Sequence, residues 1–459
     1  MKRYGQHAVV IGASIAGLCA ARVLSDFYDR VTLFERDQLP AAPANRAAVP
    51  QGRHVHILAA RGAEELGALY PTLLDDMVDA GVPMVSDQPG SIHFGAAGHA
   101  LGIPTDPAKL RAQFTTYIPS RPQLEWQIRR LTTALPNVAI VHRGVSAPHF
   151  ESGVVRGVLL NGDSEFVPAD LVVDAAGRGT RLPVWLQNWG FERPREDVVD
   201  VGIGYTSHRV RIPGDPITEK FVVAGASRDN PLGLGMMHYE DGSWMVTTFG
   251  VAKVQPPQTY SEMCALADQI LPGHIAAALR SGEPVGEMAL HKYPTSRWRR
   301  YDKLTRFPAG IVPFGDAVAS FNPTYGQGMT MTALQAGNLQ RVLRSETTDL
   351  AAELSQATAK TTFPVWMMNA IGDHTLQQAS GPMPRWYKPV GALFDQFLGA
   401  AETDPVLAEW FLRRLSLLDS LYMVPPASIV GRTVRHNMRC WWAEKRAGAA
   451  VARGMPAQT

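Results

Sequence analysis

The chain has 459 residues, of which 46% are hydrophobic and 19% are charged, a composition typical of a globular protein rather than a disordered one. Its 44 lysines and arginines nearly balance its 42 aspartates and glutamates, and the lack of a basic excess argues against a nucleic-acid-binding protein. The length predicts two or three co-folded units.

Three cysteines, Cys19, Cys264 and Cys440, lie far apart and form no CxxC or Cys/His spacing. We therefore expect a reducing, cytoplasmic compartment and no metal site. No uncharged apolar run reaches about 18 residues, so we expect no transmembrane helix. The basic start MKRYGQ before an apolar segment resembles a signal peptide, but the glycine spacing inside that segment indicates another role.

The first predicted elements are a strand, a helix and a second strand. AVVI at 8–11 is typical of a buried parallel strand, LCAARVLSDF has helical periodicity, and VTLFE ends at Glu35. Between the first strand and the helix, GASIAG places Gly12, Ser14 and Gly17 at the spacing of a dinucleotide-binding loop. Gly12 permits a tight turn, and Gly17 lets helix and strand pack closely.

The loop also has features that suit a pyrophosphate and a ribose. A small residue at position 14 lets the backbone approach the phosphates, and the helix N-terminus at Ile15 and Ala16 offers free N–H groups. Glu35 is placed to accept hydrogen bonds from a ribose. Ser14 replaces the usual middle glycine, so its hydroxyl must find a partner. We predict a ribose-bearing dinucleotide here; purely structural glycines are the alternative.

The rest of the chain favours a large two-phosphate cofactor over a nicotinamide nucleotide. After Asp37 comes QLPAAPANRAAVPQGRHVHIL, a proline-rich basic loop with Arg46, Arg53, His54 and His56, instead of another βαβ unit. Further glycine-bearing segments follow apolar strands only at DLVVDAAGRGTRLP, 170–183, and FGDAVASFNPTYGQGMT, 314–330.

Five segments, in their order along the chain, resemble those of the FAD-dependent class A flavoprotein monooxygenases. They are GASIAG with Glu35, RAAVPQGRHVHIL, SRPQLEWQIRRL, DLVVDAAGRGTR and FGDAVASFNPTYGQGMT. Within that family the chain resembles the bacterial secondary-metabolite branch of polyether epoxidases and relatives of squalene epoxidase. The resemblance covers roughly residues 6–60, 118–190 and 300–345.

The resemblance implies an α/β fold in three parts. We expect a discontinuous Rossmann-like FAD-binding domain at 1–80, 118–190 and 300–350. A β-sheet substrate domain would occupy 81–117 and 191–299, and a helical C-terminal region would occupy 351–459.

The resemblance also assigns site residues. It implies that Asp316 hydrogen-bonds the flavin ribityl hydroxyls, and that Pro323, Gly326 and Gly328 lie beside the isoalloxazine, where N–H groups of a helix N-terminus stabilise negative charge. The alternatives are purely structural: Asp316 would be a helix cap, the glycines would form a turn, and Arg121 would be a surface arginine. The cofactor contacts that we expect are Gly12, Ser14, Ile15, Ala16, Gly17, Glu35, Arg36, Arg46, Arg53, His54, Arg121, Asp174, Gly177, Arg178, Gly315, Asp316, Pro323, Gly326, Gly328 and Met329, with Pro323, Gly326 and Gly328 as the catalytic group.

One position departs from the aromatic hydroxylases of this class, which carry Ala-Asp-Gly where this chain has Ala175, Ala176 and Gly177. Ala176 thus replaces an aspartate associated with both FAD and NAD(P)H, and Arg178 or Arg181 is left to contact phosphate. The departure favours a partner flavin reductase, or a flavin without a redox cycle, over direct reduction by NAD(P)H.

Alternating segments such as VGIGYTSHRVRI and SWMVTTFG predict an antiparallel sheet as the floor of the substrate domain. Ordinary core is the alternative for its apolar side chains. The candidates for the substrate pocket are Tyr205, Met236, Met237, His238, Trp244, Met245 and Phe249.

No cluster of histidine, carboxylate and serine residues indicates a hydrolase. In the family a flavin C4a-hydroperoxide supplies the electrophile, so few side-chain catalysts are needed. We expect epoxidation or hydroxylation of a large apolar intermediate such as a polyketide or polyene. The alternatives are an FAD-containing non-redox cyclase, for example for a [4+2] closure, and a prenyl-type reductase.

The tail RTVRHNMRCWWAEKRAGAAVARG combines Trp441 and Trp442 with a run of basic residues. It predicts either a packed terminal helix with a solvated basic face or a helix that touches a membrane surface.

Overall fold

The computed structural model describes residues 4–85, 90–103, 115–162, 164–375, 379, 387–419 and 424–452. The strands within these residues are β1 (Gly5–Ile11), β2 (Tyr28–Glu35), β3 (Ile92–Ala96), β4 (His99–Ala100), β5 (Val138–His142), β6 (Val145–Glu151), β7 (Val154–Leu160), β8 (Phe166–Pro168), β9 (Leu171–Asp174), β10 (Glu196–Arg211), β11 (Phe221–Ala224), β12 (Leu232–His238), β13 (Trp244–Gly250), β14 (Glu283–Arg299), β15 (Ile311–Pro313) and β16 (Ala319–Ser320). The helices within these residues are α1 (Ile15–Leu24), α2 (Ala60–Leu69), α3 (Leu73–Asp79), α4 (Arg121–Thr133), α5 (Leu182–Asn188), α6 (Tyr260–Ile270), α7 (Gly273–Arg280), α8 (Gly328–Arg344), α9 (Leu350–Thr375), α10 (Tyr387–Ala401), α11 (Pro405–Leu415) and α12 (Ala427–Ala452).

A five-stranded parallel sheet, in the order β15-β9-β1-β2-β5, forms the first layer. Its central strand β1 is apolar on both faces, as a covered parallel sheet requires. Ala8 and Val10 point into a core shared with α1, α4 and α8, whereas Val9 and Ile11 point into a second core shared with β7 and α5. The α/β fold expected from the sequence is confirmed.

The turn from β1 into α1 depends on two glycines. Gly12 has a φ of +98°, which side-chain-bearing residues rarely adopt, and a Cβ on Gly17 would lie 1.9 Å from the carbonyl oxygen of Gly12. Helix α1 can therefore pack closely against β1 only because position 17 has no side chain.

An eight-stranded sheet, in the order β16-β14-β10-β13-β12-β11-β3-β4, forms the second layer. Its pairs are antiparallel except for β11 with β3. One face packs on α6 and α7, and the other faces a large cavity. The predicted β-rich floor is thus present, and it takes in β3 and β4 from the segment that precedes α4.

Helices α10, α11 and α12 form a separate apolar cluster at the end of the second sheet. The long helix α9 leads to them from the parallel sheet, and its residues Val365 and Trp366 belong to the core between the two layers. No helix in the described part of the chain is both long and apolar enough to cross a membrane.

Candidate active site

A cavity of about 1750 Å³ runs from the loop after β1, over the second sheet, to α9–α12. The carboxyl ends of β1, β2 and β9 open into it, as expected for a ligand site in a parallel α/β sheet. At the α1 end its wall is glycine-rich and polar, and at the α10–α12 end it is apolar. The expected cofactor residues that line it are Gly12, Ser14, Ile15, Ala16, Glu35, Arg36, Arg46, His54, Arg121, Gly177, Arg178, Asp316, Pro323, Gly326, Gly328 and Met329.

Glu35 is held at the end of β2 by backbone groups. Its Oε2 accepts a hydrogen bond from the N–H of Ala13 over 2.9 Å, and its Oε1 accepts one from the N–H of Asp37 over 3.1 Å. The side chain is therefore oriented before any ligand binds, at the place where the sequence predicts a ribose contact.

Two arginines of the cavity wall are joined by Glu125, which the sequence analysis missed. Nε of Arg46 donates to Oε1 of Glu125 over 2.7 Å, and Nη2 of Arg121 donates to Oε2 over 2.8 Å. Although burial raises the pKa of Glu125, Arg121 and Arg46 lower it more, so the net shift is downward. The spacing of Arg121 and Glu125, four residues apart at the start of a predicted helix, is the signal that could have identified this carboxylate.

Arg121 and Arg46 differ in how far their charge is neutralised within the protein. Arg46 also pairs with Glu35 and Asp37, each at 3.3 Å, so three carboxylates surround it. Within the described residues Arg121 pairs with Glu125 alone, to which its Nε and Nη2 both donate, and its Nη2 also donates to Oγ of Ser14 over 2.9 Å. Arg121 is thus the better placed of the two to meet an anionic ligand at the N-terminus of α1.

Asp316 lies half-buried in the cavity wall, and no hydrogen bond to its carboxylate is found among the described residues. Burial raises its pKa, and the nearby Arg178, Arg121 and Arg299 oppose that rise. An unpaired carboxylate at the mouth of β15 is an acceptor that suits the hydroxyl groups of a ligand in the cavity.

The N-terminus of α8 points at the cavity through a turn that only glycine fits well. A 3-10 turn over Pro323–Tyr325 ends at Gly326, which has a φ of +68°. A Cβ added to Gly328, the first residue of α8, would meet no protein atom within 4 Å. The space beside Gly328 is therefore open to a ligand, and the free N–H groups of the helix face a region where negative charge is stabilised.

Arg178 connects the loop after β9 to the second sheet. Its guanidinium lies 4.1 Å from the ring centroid of Tyr293, donates to Oγ of Ser320 over 2.9 Å and donates to the carbonyl of Thr295 over 3.0 Å. These contacts direct Arg178 toward the middle of the cavity rather than toward the N-terminus of α1.

Asp373, at the end of α9, is a second residue that the sequence analysis missed. Its Oδ1 accepts hydrogen bonds from Nδ2 of Asn322 over 2.7 Å and from the hydroxyl of Tyr325 over 3.1 Å. Its Oδ2 is buried without a partner among the described residues, in the cavity wall. Burial raises the pKa of Asp373 to about 7, although both hydrogen bonds lower it.

His54 and His56 both line the cavity, and the segment they occupy is a loop, as the sequence predicts. Nδ1 of His54 lies 2.7 Å from Oγ of Ser207, and the imidazole stands 5.6 Å from the ring of His291. Burial, with smaller effects of His291 and Arg53, lowers the pKa of His54 to about 4, so the ring is neutral near pH 7.

Four of the expected cofactor residues do not reach the cavity. Arg53 is exposed, and Gly17 is occupied with helix packing. A Cβ on Gly315 would lie 2.6 Å from Cβ of Ala16, so this glycine permits a close packing contact. Asp174 is fully buried and accepts hydrogen bonds from the hydroxyl of Thr180 and the N–H of Ala176, which fix the loop after β9. Gly17, Gly315 and Asp174 therefore support the structure around the cavity instead of lining it, and Arg53 does not contribute to the site.

The expected pocket residues divide by the alternation of the strands. Tyr205, Met237 and Phe249 line the cavity, whereas Met236 and Trp244 pack against α6 and α7 on the opposite face of the sheet. The expectation that Met236 and Trp244 line the substrate pocket was therefore wrong. It was also wrong for His238, which lies two residues after Met236 and shares its face of the sheet. Successive residues of a strand point to opposite faces, so Met237 is exposed to the cavity where Met236 is not. Met245 packs beside Met237 without lining the cavity.

Together these residues fit a flavin dinucleotide. The tight glycine turn at Gly12, the oriented carboxylate of Glu35 and Arg121 lie at one end. The carboxylate of Asp316, without a hydrogen bond from any described residue, and the open space at Gly328 lie further along the same cavity. No group of three or more His, Cys, Asp or Glu side chains in the described ranges could hold a metal ion.

Comparison with known sequences gives a near relative and more distant ones. The family model described as the Mycobacterium Rv3254 C-terminal domain matches residues 381–447. Protein Rv3254 of Mycobacterium tuberculosis (strain ATCC 25618 / H37Rv) is 64% identical over 455 residues, which cover 96% of this chain and 95% of that protein. A kynurenine 3-monooxygenase of Salinispora arenicola (strain CNS-205) is 26% identical over 357 residues, covering 72% of this chain and 70% of that enzyme.

Solved structures share the fold at low sequence identity. The p-nitrophenol 4-monooxygenase PnpA from Pseudomonas putida DLL-E4 aligns with a TM-score of 0.63 and 17% identity, over 91% of this chain and 98% of that one. The Diels-Alderase PyrE3 from the biosynthetic pathway of pyrroindomycins aligns with a TM-score of 0.59 and 18% identity, over 90% of this chain and 81% of that one. These likenesses establish that the fold is one on which flavin-dependent monooxygenases are built.

Proposed function

The chain belongs to the family of protein Rv3254 of Mycobacterium tuberculosis, and we propose that it is an FAD-dependent monooxygenase that epoxidises or hydroxylates a large apolar substrate. The observation that carries the proposal is that one continuous cavity joins the glycine turn at Gly12 to an apolar chamber between the second sheet and α9–α12. A kynurenine 3-monooxygenase among the distant relatives supports oxygen chemistry.

FAD would be held by residues along the polar part of the cavity. Arg121 and the N-terminus of α1 would meet its pyrophosphate, Glu35 its adenosine ribose and Asp316 its ribityl hydroxyls. Gly326 and Gly328 would present the N-terminus of α8 to its isoalloxazine. Reduced FAD would supply two electrons and the activation of O2, so that one oxygen atom enters the substrate and the other leaves as water.

The protein's own side chains would bind the substrate, exclude water from the cavity and hold a proton near the reacting oxygen. Tyr205, Met237 and Phe249 give one wall of the substrate chamber an apolar surface that excludes water and orients an alkene. Since Oδ1 of Asp373 accepts two hydrogen bonds, a protonated Asp373 holds its proton on Oδ2, the atom without a protein partner. That O–H is available to protonate oxygen at the cavity wall near the α8 turn.

Ala176 favours reduction by an outside donor. Ala176 is exposed to the cavity and its side chain can bind neither FAD nor a nicotinamide nucleotide. We therefore propose that a separate flavin reductase supplies the electrons. If NADH or NADPH alone bleached the FAD-loaded protein rapidly under anaerobic conditions, this part of the proposal would be wrong.

A second candidate is a non-redox cyclase, favoured by Ala176 together with the Diels-Alderase among proteins of the same fold. The FAD-loaded protein would be incubated with long apolar polyenes, with and without O2 and a flavin reductase. Oxygenation requires O2 and adds one oxygen to the product mass. A cyclase leaves the mass unchanged without O2, and a prenyl-type reductase adds two hydrogens.

A further inference from the structure

Among the described residues, the packing and hydrogen-bond contacts that anchor helix α12 lie along one side of it. Ile429 is buried in the cluster formed with α10 and α11. On the same side, Nδ2 of Asn437 donates to Oε1 of Gln396 over 3.4 Å, and His436 lies 3.4 Å from Oγ1 of Thr403. The first three turns of α12 are anchored in this way, and from Met438 to Arg446 every side chain is exposed.

A second side of α12 carries an apolar stripe that no described residue covers. Five large apolar side chains, of which the last two are adjacent, otherwise recur at intervals of three or four residues, which places them on one side of a helix over about 18 Å. Each has between 45% and 55% of its surface exposed: Val430, Val434, Met438, Trp441 and Trp442.

A basic edge runs beside the stripe. Arg435, Arg439 and Arg446 are exposed, and in the described part of the chain none of them forms an ion pair with a carboxylate. Nζ of Lys445 lies 4.1 Å from the ring centroid of Trp441. Glu444 is the one acidic residue in the sequence from 427 to 446, so this part of the helix is strongly cationic.

The stripe begins at the mouth of the cavity. Val430 and Val434 line the cavity and are also exposed to solvent. Val390 and Leu393 on α10, together with Val424 just before α12, do the same, with exposed fractions of 37%, 64% and 76%. The apolar interior of the cavity is therefore continuous with the apolar surface of α12.

We propose that α12 docks the protein on an anionic membrane surface, with Trp441 and Trp442 in the headgroup boundary and the cavity mouth open toward the bilayer. A helix with tryptophans on an apolar side and arginines at its edge is the form that lies in such an interface. Anionic lipid headgroups complement the unpaired arginines, whereas a second copy of the chain would bring two cationic helices together. The role in substrate access rests on the proposed function, but membrane binding does not.

The test is sedimentation of the full chain with vesicles of phosphatidylglycerol and phosphatidylcholine, compared with vesicles of phosphatidylcholine alone. We expect binding to the anionic vesicles that weakens at high salt, and a loss of roughly tenfold or more in the Trp441→Ala/Trp442→Ala variant. A separate Arg435→Gln/Arg439→Gln variant should lose its preference for anionic lipid.

Two controls distinguish a loss of the membrane contact from a general loss of apolar surface and from unfolding. Leu290→Ala removes an apolar side chain from β14 that is more exposed than either tryptophan, at 63%, and should bind vesicles like the unaltered protein. Circular dichroism would verify that all variants remain folded.

Equal binding of the tryptophan variant and the unaltered protein would overturn the proposal. So would a dimer, seen by light scattering, that the tryptophan substitutions dissociate. Vesicle binding is measured without turnover, so a failure of the proposed oxygenation would leave this result unaffected.

Discussion

Nη2 of Arg121 donates a hydrogen bond to Oγ of Ser14 over 2.9 Å. The two residues come from different segments of the cavity wall, α4 and the loop after β1. The serine that departs from the usual glycine of this loop therefore has a specific function, because its hydroxyl holds the arginine beside the N-terminus of α1. The same arginine is also fixed by Glu125, to which its Nη2 and Nε donate.

Replacing Ser14 should weaken FAD binding moderately. In Ser14→Ala, Arg121 keeps Glu125 but loses one neutral acceptor, a loss of about 1 kcal/mol, or roughly fivefold in affinity. Arg121→Gln should cost more, since the cationic donor itself is lost. Quenching of flavin fluorescence on titration into the apoprotein measures both. If Ser14→Ala bound FAD as weakly as Arg121→Gln, the charge of Arg121 would contribute no more to FAD binding than its hydrogen bond to Ser14.

Glu125→Gln should destabilise the fold by about 3 kcal/mol, because it leaves two buried guanidinium groups, those of Arg46 and Arg121, short of negative charge. The folded pKa of Glu125 is lowered, so its contribution is present above the unfolded pKa of about 4.3 and is lost as pH falls through the folded value. Urea unfolding should show the largest difference between variant and wild type near pH 7 and a smaller one below about pH 4.

Substitution by alanine should lower FAD affinity at Gly328 but folding stability at Gly17. Gly328→Ala places Cβ where no protein atom lies within 4 Å, so the apoprotein should keep its stability while FAD affinity falls. Gly17→Ala places Cβ 1.9 Å from the carbonyl of Gly12 and should impair folding itself. Thermal unfolding without FAD, followed by FAD titration, separates the two. Unchanged FAD affinity in Gly328→Ala would contradict the placement of the isoalloxazine.

Asp373→Asn should change both stability and catalysis with pH. Burial raises the folded pKa of Asp373 to about 7, so wild-type stability falls by roughly 1.4 kcal/mol per pH unit between about pH 4, where the unfolded carboxyl ionises, and pH 7. The asparagine retains an acceptor for Asn322 and Tyr325 but does not titrate.

The variant should therefore gain stability relative to wild type as pH rises from 4 to 8. Its turnover should fall by about 10² or more and lose the limb of the pH profile near 7. A pH profile that the variant leaves unchanged would remove Asp373 from proton transfer.

Elements whose characteristic residues lie close together along the chain could be predicted from the sequence. The unit of β1, α1 and β2 has its glycines, its branched apolar strand and its terminal Glu35 within a short stretch, and α8 follows directly from Gly328. The placement of Arg121 beside Ser14 required the tertiary structure, because α4 is separated from the loop by a long stretch of chain.

Other features depended on register or on distant packing. Met236 and Met237 were both candidates for the pocket, yet neighbouring residues of a strand lie on opposite faces, and only the pairing with β13 places Met237 on the cavity side. Asp373 is an unremarkable residue of a helical sequence, and its raised pKa arises only when α9 packs against Asn322 and Tyr325. The domain boundaries stay a prediction.

The most direct test of the account is incorporation of ¹⁸O₂. The FAD-loaded protein would be supplied with a flavin reductase, its reduced nicotinamide donor and a long apolar polyene under ¹⁸O₂, and the product would be weighed by mass spectrometry. The proposed monooxygenation predicts a product that contains one ¹⁸O atom per turnover and no product when O2 is absent. A product of unchanged mass, formed equally well without O2, would contradict it and favour the cyclase.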